Sequence, residues 1–326
     1  MSFDCKHCRA ARGQRLSIPV ATFEALLTEA PAGLRFLKPE RALAALQHEV
    51  DLSEAVLTTT NGDALASARA PTLTWSDIDL DTHPATQTLT VSCASWQNSI
   101  VAFTPGYAPL RDLDVLHVYN RTGSLQHRII FGAAGSAAPL ANLPHSPPPV
   151  PSAPNSRSPG CVDRSLQPTI NARAHWHCLD AKGHLEAVRC DGGRMRRKTL
   201  PRMGKDRARA IDGAALPHWL AHLYRQGVVY TRIVAGEHWM QADASDITGL
   251  SVDRGHLLMH SRLGVATLAL SKIDSCWHTR FRSPTGPLSF VEVYSSDGQC
   301  LAVLAPYRNY LLEPWNALTA SIPNAP

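Results

Sequence analysis

The sequence LHVYNRTGSLQHRIIF, at positions 116–131, has the pattern of a β-hairpin. Alternating apolar residues lead to Tyr119, Gly123 follows four residues later, and a second extended run begins after it. A turn glycine between two segments of period two is a strong local signal for a hairpin. Nearly the same pattern returns as FVEVYSSDGQCLAVLA at positions 290–305, where Tyr294 takes the place of Tyr119. The repetition raises the hypothesis of an internal duplication.

The segments around the two hairpins occur in the same order along the chain. Helical patterns with apolar residues at i, i+3 and i+4 occupy positions 20–29 and 38–50. Strands rich in Thr, Val and Ile are predicted after them, at 54–131. Beyond a proline-rich stretch, a short helical pattern at 216–227 again precedes a series of strands, and a final helix is predicted after Pro314.

A second pair of similar segments supports the duplication. TLTV at 88–91 precedes Trp96, and TLAL at 267–270 precedes Trp277. Self-similarity over such a distance is typical of two copies of one domain, and the alternative is coincidence between strands of similar composition. We predict an α+β fold with a tandem duplication, in which each half is a large antiparallel β-sheet with helices packed beside it.

Composition shifts divide the chain into five predicted regions. They are a flexible N-terminus (1–16), an N-terminal repeat (17–132), a proline-rich linker (133–168), a basic connecting segment (169–213) and a C-terminal repeat (214–326). The linker is expected to be extended because proline fixes φ and removes a backbone donor. In the connecting segment, HCLDAKGHLEAVRC fits a short hairpin.

The composition is that of a globular protein with apolar cores, at 44% hydrophobic and 18% charged residues in 326. No apolar run approaches the roughly 18 residues of a membrane-spanning helix, and positions 1–15 contain no apolar signal segment. We therefore expect a cytoplasmic location without membrane insertion, with free thiols rather than disulfides. Cys5 and Cys8 form one CxxC, which is either half of a metal site or part of a loose terminus.

The formal net charge of +5 is concentrated at positions 189–209. This run could contact nucleic acid or an anionic ligand, or it could be a solvated and flexible segment. We favour the solvated segment, and do not favour nucleic acid as a partner, because no aromatic residues interleave the cations.

In the order of its motifs the chain resembles the bacterial hemin-degrading and hemin-transport factors, cytoplasmic haem-utilisation proteins with two homologous halves. In the first half the resemblance rests on DIDLD (77–81), LTVSCASW (89–96) and the hairpin at 116–131. In the second half it rests on GHLLMHSRLG (255–264), IDSCWHTRFRSPTG (273–286), LSFVEVYSSDGQ (288–299) and Trp315.

The resemblance implies that haem b lies between a helix and the sheet of the C-terminal half. The family's iron ligand is a histidine in VHxFFxxL, and the matching LPHWLAHL places His218 at that position. His222, one turn later, is the rival ligand on the same helix face. A following family arginine binds a haem propionate, and it corresponds here to Arg232.

The chemistry of these residue types agrees with that implication. Haem iron takes a neutral imidazole nitrogen, and the planar guanidinium group binds carboxylates in bidentate geometry. Besides Arg232, the candidate propionate partners are Arg282, Arg308 and the hydroxyl of Tyr307. Trp219, Leu220 and Leu223 could begin an apolar wall for the porphyrin, whereas His260 is expected to be a packed or surface residue.

Departures from the family bear on mechanism. Thr90 stands where family members that degrade haem have a distal arginine, and Leu220 and Ala221 replace a pair of phenylalanines. Loss of a distal cation favours a haem-binding protein that sequesters haem or delivers it, with a haem-uptake transporter or a haem-accepting protein as partner. The alternatives are a haem-degrading enzyme, which would open the ring oxidatively, and a diverged interaction module without haem.

Overall fold

Strands dominate the part of the chain that the structure, a computed structural model, describes. The described residues are 17–19, 33–69, 73–75, 88–93, 99–107, 110, 113–120, 123–132, 136–152, 176, 181–190, 192–236, 239–283, 286–307 and 312–325. Several predictions concern residues outside these ranges, namely the terminus with Cys5 and Cys8, the helix at 20–29, the DIDLD motif, Trp96 and Arg308.

The first half departs from the predicted order at its start, because two short strands precede the helix. Helix α1 (Pro39–His48) begins at a proline, whose missing N–H costs nothing in a first turn. The strands are β1 (Ser17–Pro19), β2 (Arg35–Leu37), β3 (Val56–Thr60), β4 (Ala64–Arg69), β5 (Leu73–Trp75), β6 (Thr88–Cys93), β7 (Ile100–Tyr107), β8 (Leu113–Tyr119) and β9 (Leu125–Ile130).

The connection and the second half contain five further α-helices and ten strands among the described residues. The helices are α2 (Ala138–Ala141), α3 (Ala181–Cys190), α4 (Arg194–Thr199), α5 (Leu216–Arg225) and α6 (Leu312–Ala320). The strands are β10 (Val150–Ser152), β11 (Ala208–Ile211), β12 (Tyr230–Gly236), β13 (Trp239–Ala244), β14 (Ile247–Asp253), β15 (His256–Ser261), β16 (Gly264–Ala269), β17 (Ser275–Ser283), β18 (Gly286–Tyr294) and β19 (Cys300–Pro306).

Two large sheets share one strand order. The eight-stranded sheet has the order β11-β17-β18-β19-β12-β13-β6-β5, and the nine-stranded sheet has the order β2-β7-β8-β9-β3-β4-β16-β15-β14. Apart from the parallel pair β5–β6, every neighbour in both sheets is antiparallel. The identical order of seven strands confirms the predicted duplication within an α+β fold.

Along most of the repeat, equivalent residues of the two halves are separated by the same number of positions. In β8 and β18 the ladder register shifts at Tyr119 and Tyr294, and the glycines four residues later have φ of 77° and 83°. We call the separation between these two tyrosines the repeat offset. Pairing in β3, β4, β6 and β7 matches that in β12, β13, β16 and β17 at the same offset. The proposed match of TLTV with TLAL is therefore wrong by four residues, although both segments begin in equivalent strands.

The two halves exchange strands. Strands β5 and β6 of the first half complete the eight-stranded sheet, and β14 to β16 of the second half complete the nine-stranded sheet. The strands of each repeat are thus divided between the two sheets. Helices α1 and α2 pack on the nine-stranded sheet, while α5 and α6 cover one face of the eight-stranded sheet and α3 covers the other.

Two predictions about the connecting regions are wrong. HCLDAKGHLEAVRC contains helix α3 rather than a hairpin, because His184, Leu185 and Val188 place a buried stripe at helical spacing. The linker is not extended throughout, since it contains helix α2, which buries Leu140. Its strand β10 is extended and pairs in parallel with β1. Within the described residues, no helix is long and apolar enough to cross a membrane.

Candidate functional site

Helix α5 presents the two candidate iron ligands on its outer side. Its buried residues recur at i, i+3, i+4 and i+7, the spacing of one helix face. They are Leu216, Trp219, Leu220 and Leu223. His218 and His222 lie one turn apart on the opposite side and are not buried. The apolar residues expected to form a porphyrin wall beside His218 instead face the core, because burial of that stripe is what holds the helix in place.

Contacts with the last helix fix the position of α5. The indole Nε1 of Trp219 donates to the carbonyl oxygen of Leu318 at 3.0 Å, and its ring meets Trp315 edge-on at 5.7 Å. Trp315 is fully buried and donates from Nε1 to the carbonyl oxygen of Ser289 at 2.9 Å. The imidazole of His218 is therefore carried on a backbone anchored to α6 and β18.

A pocket of about 470 Å³ lies beside the first turn of α5. Its lining includes Pro217, Asp212, Ile273 and Cys276. Burial, with a smaller contribution from the charge of Asp212, raises the pKa of the Cys276 thiol to about 12, so the thiol stays protonated at neutral pH. The volume is within the range of small-molecule pockets, about 300–1,000 Å³. His218 is not among the lining residues, so the pocket adjoins its helix without including the imidazole.

Arg232 is buried in a polar cluster of the eight-stranded sheet. It is 1% exposed, and its Nη2 lies 2.5 Å from Asp243 and 3.1 Å from the hydroxyl of Ser245. Its Nε and Nη1 have no hydrogen-bond partner, and neither has the hydroxyl of Tyr230 on the same strand. Burial raises the pKa of Tyr230 to about 12, so its hydroxyl remains a donor. The cluster holds one satisfied ion pair and three free donor atoms.

The remaining predicted propionate partners are spread over the sheet. Arg282 is exposed near the end of β17, separated from the strand of Arg232 by β18 and β19. Strand spacing and rise place the two Cα atoms about 14 Å apart across the strands and about 14 Å apart along them. Tyr307 is 4% exposed and follows Pro306, the partner of Tyr230 in the sheet. The structure thus brings Tyr307 close to the strand of Arg232, and leaves Arg282 distant.

One buried charge network was missed in the sequence. Arg196 belongs to the basic run that was interpreted as solvated, but it is only 4% exposed. It donates two hydrogen bonds, of 2.7 and 2.6 Å, to the carboxylate of Glu292. The hydroxyls of Thr279 and Tyr294 donate to the same carboxylate at 2.5 and 2.6 Å. Burial opposes ionisation of Glu292, but Arg196 and the two hydroxyls hold its pKa below the ordinary value. The solvated interpretation is therefore wrong for this arginine.

Neither His260 nor a metal cluster adds to the site. His260 is exposed on β15, in agreement with the prediction that it is a packed or surface residue. Among the described residues, no group of three His, Cys, Asp or Glu side chains is arranged to hold a metal ion.

Solved structures of two haem proteins share this fold over most of their length. Holo-PhuS, a haem-binding protein from Pseudomonas aeruginosa, matches with a TM-score of 0.71 at 15% identity, covering 98% of each chain. Apo-PhuS matches with a TM-score of 0.70 at 16% identity, covering 93% of this chain and 90% of that one. The haem-degrading enzyme ChuS of Escherichia coli O157:H7 matches with a TM-score of 0.69 at 14% identity, covering 98% and 97%.

No protein-family model and no curated protein matches the chain. At 14–16% identity, the structural likeness shows the fold and not the activity. It confirms the architecture that the resemblance implied, with two related halves that extend over nearly the whole chain.

Proposed function

We propose that this protein binds haem through His218 and sequesters it or delivers it to another protein. The observation that carries the proposal is the accessible imidazole of His218 on an anchored helix, in a chain with the fold of haem-binding PhuS. A neutral imidazole nitrogen is a common axial ligand of haem iron. His222, one turn later on α5, is the second candidate ligand and enters the same test.

The polar cluster of β12 supports the proposal for one propionate. Arg232 has two buried donor atoms without partners, and Tyr230 has a third. These donors suit a carboxylate, although Asp243 already neutralises the guanidinium charge. Tyr307 is proposed to assist Arg232, and the proposed partners of the other propionate are Arg282 and Arg308.

The proposed cofactor is haem b, held by coordination and polar contacts. Covalent attachment would need CxxCH, and the CxxC formed by Cys5 and Cys8 is followed by Arg9. Carriage is favoured over degradation by Thr90, which is buried in β6 at the position of the family's distal arginine. A threonine there supplies no cation beside the iron. The proposed partners are a haem-uptake transporter or a haem-accepting protein in the cytoplasm.

Titration of the purified protein with hemin tests the ligand assignment. We expect the wild type to form a complex with a distinct Soret band, and His218→Ala to bind more weakly with an altered spectrum. His222→Ala tests the rival ligand, and His256→Ala, an exposed histidine on β15, is the matched control. Unchanged binding and spectrum in His218→Ala would show that the assignment is wrong.

A second experiment separates carriage from degradation. The haem complex is mixed with a chemical reductant in air, and the Soret band is followed with time. We expect a stable band, because Thr90 offers no cation on the distal side. Conversion of the haem to an open tetrapyrrole would instead favour a haem-degrading enzyme, the activity attributed to ChuS.

A further inference from the structure

The face of the nine-stranded sheet opposite α1 carries a polar cluster that the proposed haem site does not include. Its members are Thr104 on β7, His117 on β8 and Arg128 on β9. His117 and Arg128 are directly paired in the ladder, and Thr104 pairs with Val115, two residues from His117 on the same face. The three side chains therefore project from adjacent positions on one side of the sheet.

The polar atoms of this cluster lack hydrogen bonds. Thr104 and His117 are each 2% exposed. The hydroxyl of Thr104, both ring nitrogens of His117 and Nε of Arg128 are buried without a hydrogen bond. Within the described residues, no carboxylate forms an ion pair with Arg128. Buried polar atoms normally have partners, and each one left unmade costs about 1–3 kcal/mol.

The second half shows what the cluster lacks. At the repeat offset, Thr104 corresponds to Thr279 and His117 corresponds to Glu292. In the second half the carboxylate of Glu292 accepts hydrogen bonds from Thr279 and from a buried arginine, Arg196. The first half thus has a threonine at the equivalent position but a histidine in place of the accepting carboxylate. Its arginine, Arg128, lies on β9 and is not the equivalent of Arg196.

We propose that the Thr104–His117–Arg128 cluster binds a small oxyanion, a carboxylate or a phosphate. The oxyanion would accept hydrogen bonds from the hydroxyl of Thr104, from one ring N–H of His117 and from the guanidinium of Arg128. Charge-assisted hydrogen bonds from a guanidinium suit both ligand classes. Arg128 is only half-buried, so part of its side chain is accessible from solvent. The proposal is independent of haem, because the cluster lies in the other half of the chain.

Anion titrations of the full chain without haem test the proposal. Sodium acetate and sodium phosphate are added at constant ionic strength against sodium chloride, and the thermal midpoint is followed. We expect a saturable rise with one of the two anions, which identifies the class, and its loss in Arg128→Gln and Thr104→Val. Arg69→Gln, which changes an exposed arginine on the same sheet, should respond like the wild type.

A second measurement covers variants that fail to fold. The ring signals of His117, assigned by their absence in His117→Gln, are followed by NMR in the wild type as each anion is added. A saturable displacement of these signals is expected with the anion that raises the thermal midpoint. If neither anion moves the midpoint or the His117 signals beyond the chloride reference, the proposal is overturned. It is also overturned if Thr104→Val and Arg128→Gln both fold and respond like the wild type.

Discussion

The two halves of this protein have the same strand order but different interiors. Arg232 and Asp243 form a buried ion pair on β12 and β13. The equivalent positions in the first half, on β3 and β4, are occupied by Leu57 and Ala68, both buried and apolar. Backbone pairing is thus retained while the chemistry at equivalent positions diverges. The second half contains charge in its core, and this is the half in which we place the haem.

The equivalent faces that carry Glu292 in one sheet and His117 in the other differ in a complementary way. In the second half, Glu292 is enclosed by Arg196 and two hydroxyls, so both oxygens of its carboxylate accept hydrogen bonds. In the first half, His117 has no hydrogen bond at either ring nitrogen. A closed network stabilises a fixed structure, whereas an open one is able to accept a ligand.

The largest loss of stability is expected from Glu292→Ala. Removal of the carboxylate leaves Arg196 buried without a counter-charge and deprives two hydroxyls of their acceptor. Breaking a buried pair from one side typically costs about 3–5 kcal/mol, and we expect the upper end here. The free energy of unfolding is measured with denaturant. His117→Leu, at the equivalent position, should cost far less because its ring nitrogens make no hydrogen bond.

The comparison fails if the two variants lose similar stability. A double variant, Arg196→Met with Glu292→Leu, sharpens the test, because removal of both charges should recover most of the loss. A double variant as unstable as Glu292→Ala would indicate that packing, and not the unpaired charge, dominates.

A smaller effect, about 3 kcal/mol, is expected from Asp243→Ala. It leaves Arg232 with Ser245 as its remaining partner. The double variant Arg232→Leu with Asp243→Ala installs the residues of the first half, and should restore stability. Haem affinity of the double variant should nevertheless fall about tenfold if Arg232 binds a propionate, the loss of roughly one charge-assisted hydrogen bond. Stability restored with full haem affinity would contradict the role of Arg232.

The backbone of the fold was largely predictable from local patterns. Both hairpins and helix α5 follow from period, turn glycine and helical spacing. The exchange of β6 and β16 between the sheets was not predictable, because a strand's own pattern does not identify its neighbour. Likewise, the buried ion pair of Arg196 was not predictable, because its partner Glu292 lies 96 residues away.

The candidate site was predicted less completely than the fold. His218 was placed on a helix by its spacing and indeed lies on the outer face of one. The same spacing could not tell which residues share that face with haem, and Trp219 was assigned to the wrong side. Arg232 was expected to be a free propionate partner, since nothing in the sequence indicates that Asp243 is paired with it.

A moderate loss of stability is expected from a substitution at Asn61, where the two halves meet. The side-chain amide of Asn61 donates to the carbonyl oxygens of Ala235 and Leu301 in the second half, each at 3.0 Å. Asn61→Asp removes this donor while retaining the oxygen that accepts from the backbone N–H of Ala64. We expect a loss of about 1–3 kcal/mol in the free energy of unfolding. The equivalent residue is Gly236, so no symmetric contact compensates, and an unchanged stability would show that the carbonyls have other donors.

The smallest effect concerns the pH dependence of stability. Burial is the main reason that the pKa values of His127 in the first half and His278 in the second are lowered to about 3, and the nearby Arg280 and Arg209 contribute for His278. In the folded state these rings stay neutral, whereas in the unfolded state they take up a proton near pH 6.5. Below pH 6.5 the unfolded state therefore binds more protons, and stability falls by about 1.4 kcal/mol per pH unit for each histidine.

Replacement of one such ring should reduce this slope. His278→Phe installs the residue found at the equivalent position in the first half, Phe103. We expect the slope of unfolding free energy between pH 6 and pH 5 to decrease by about 1.4 kcal/mol per pH unit. His256→Phe, at an exposed position on β15, should leave the slope unchanged. An equal slope in all three proteins would mean that His278 takes up its proton without unfolding, and that its side of the sheet is open to water.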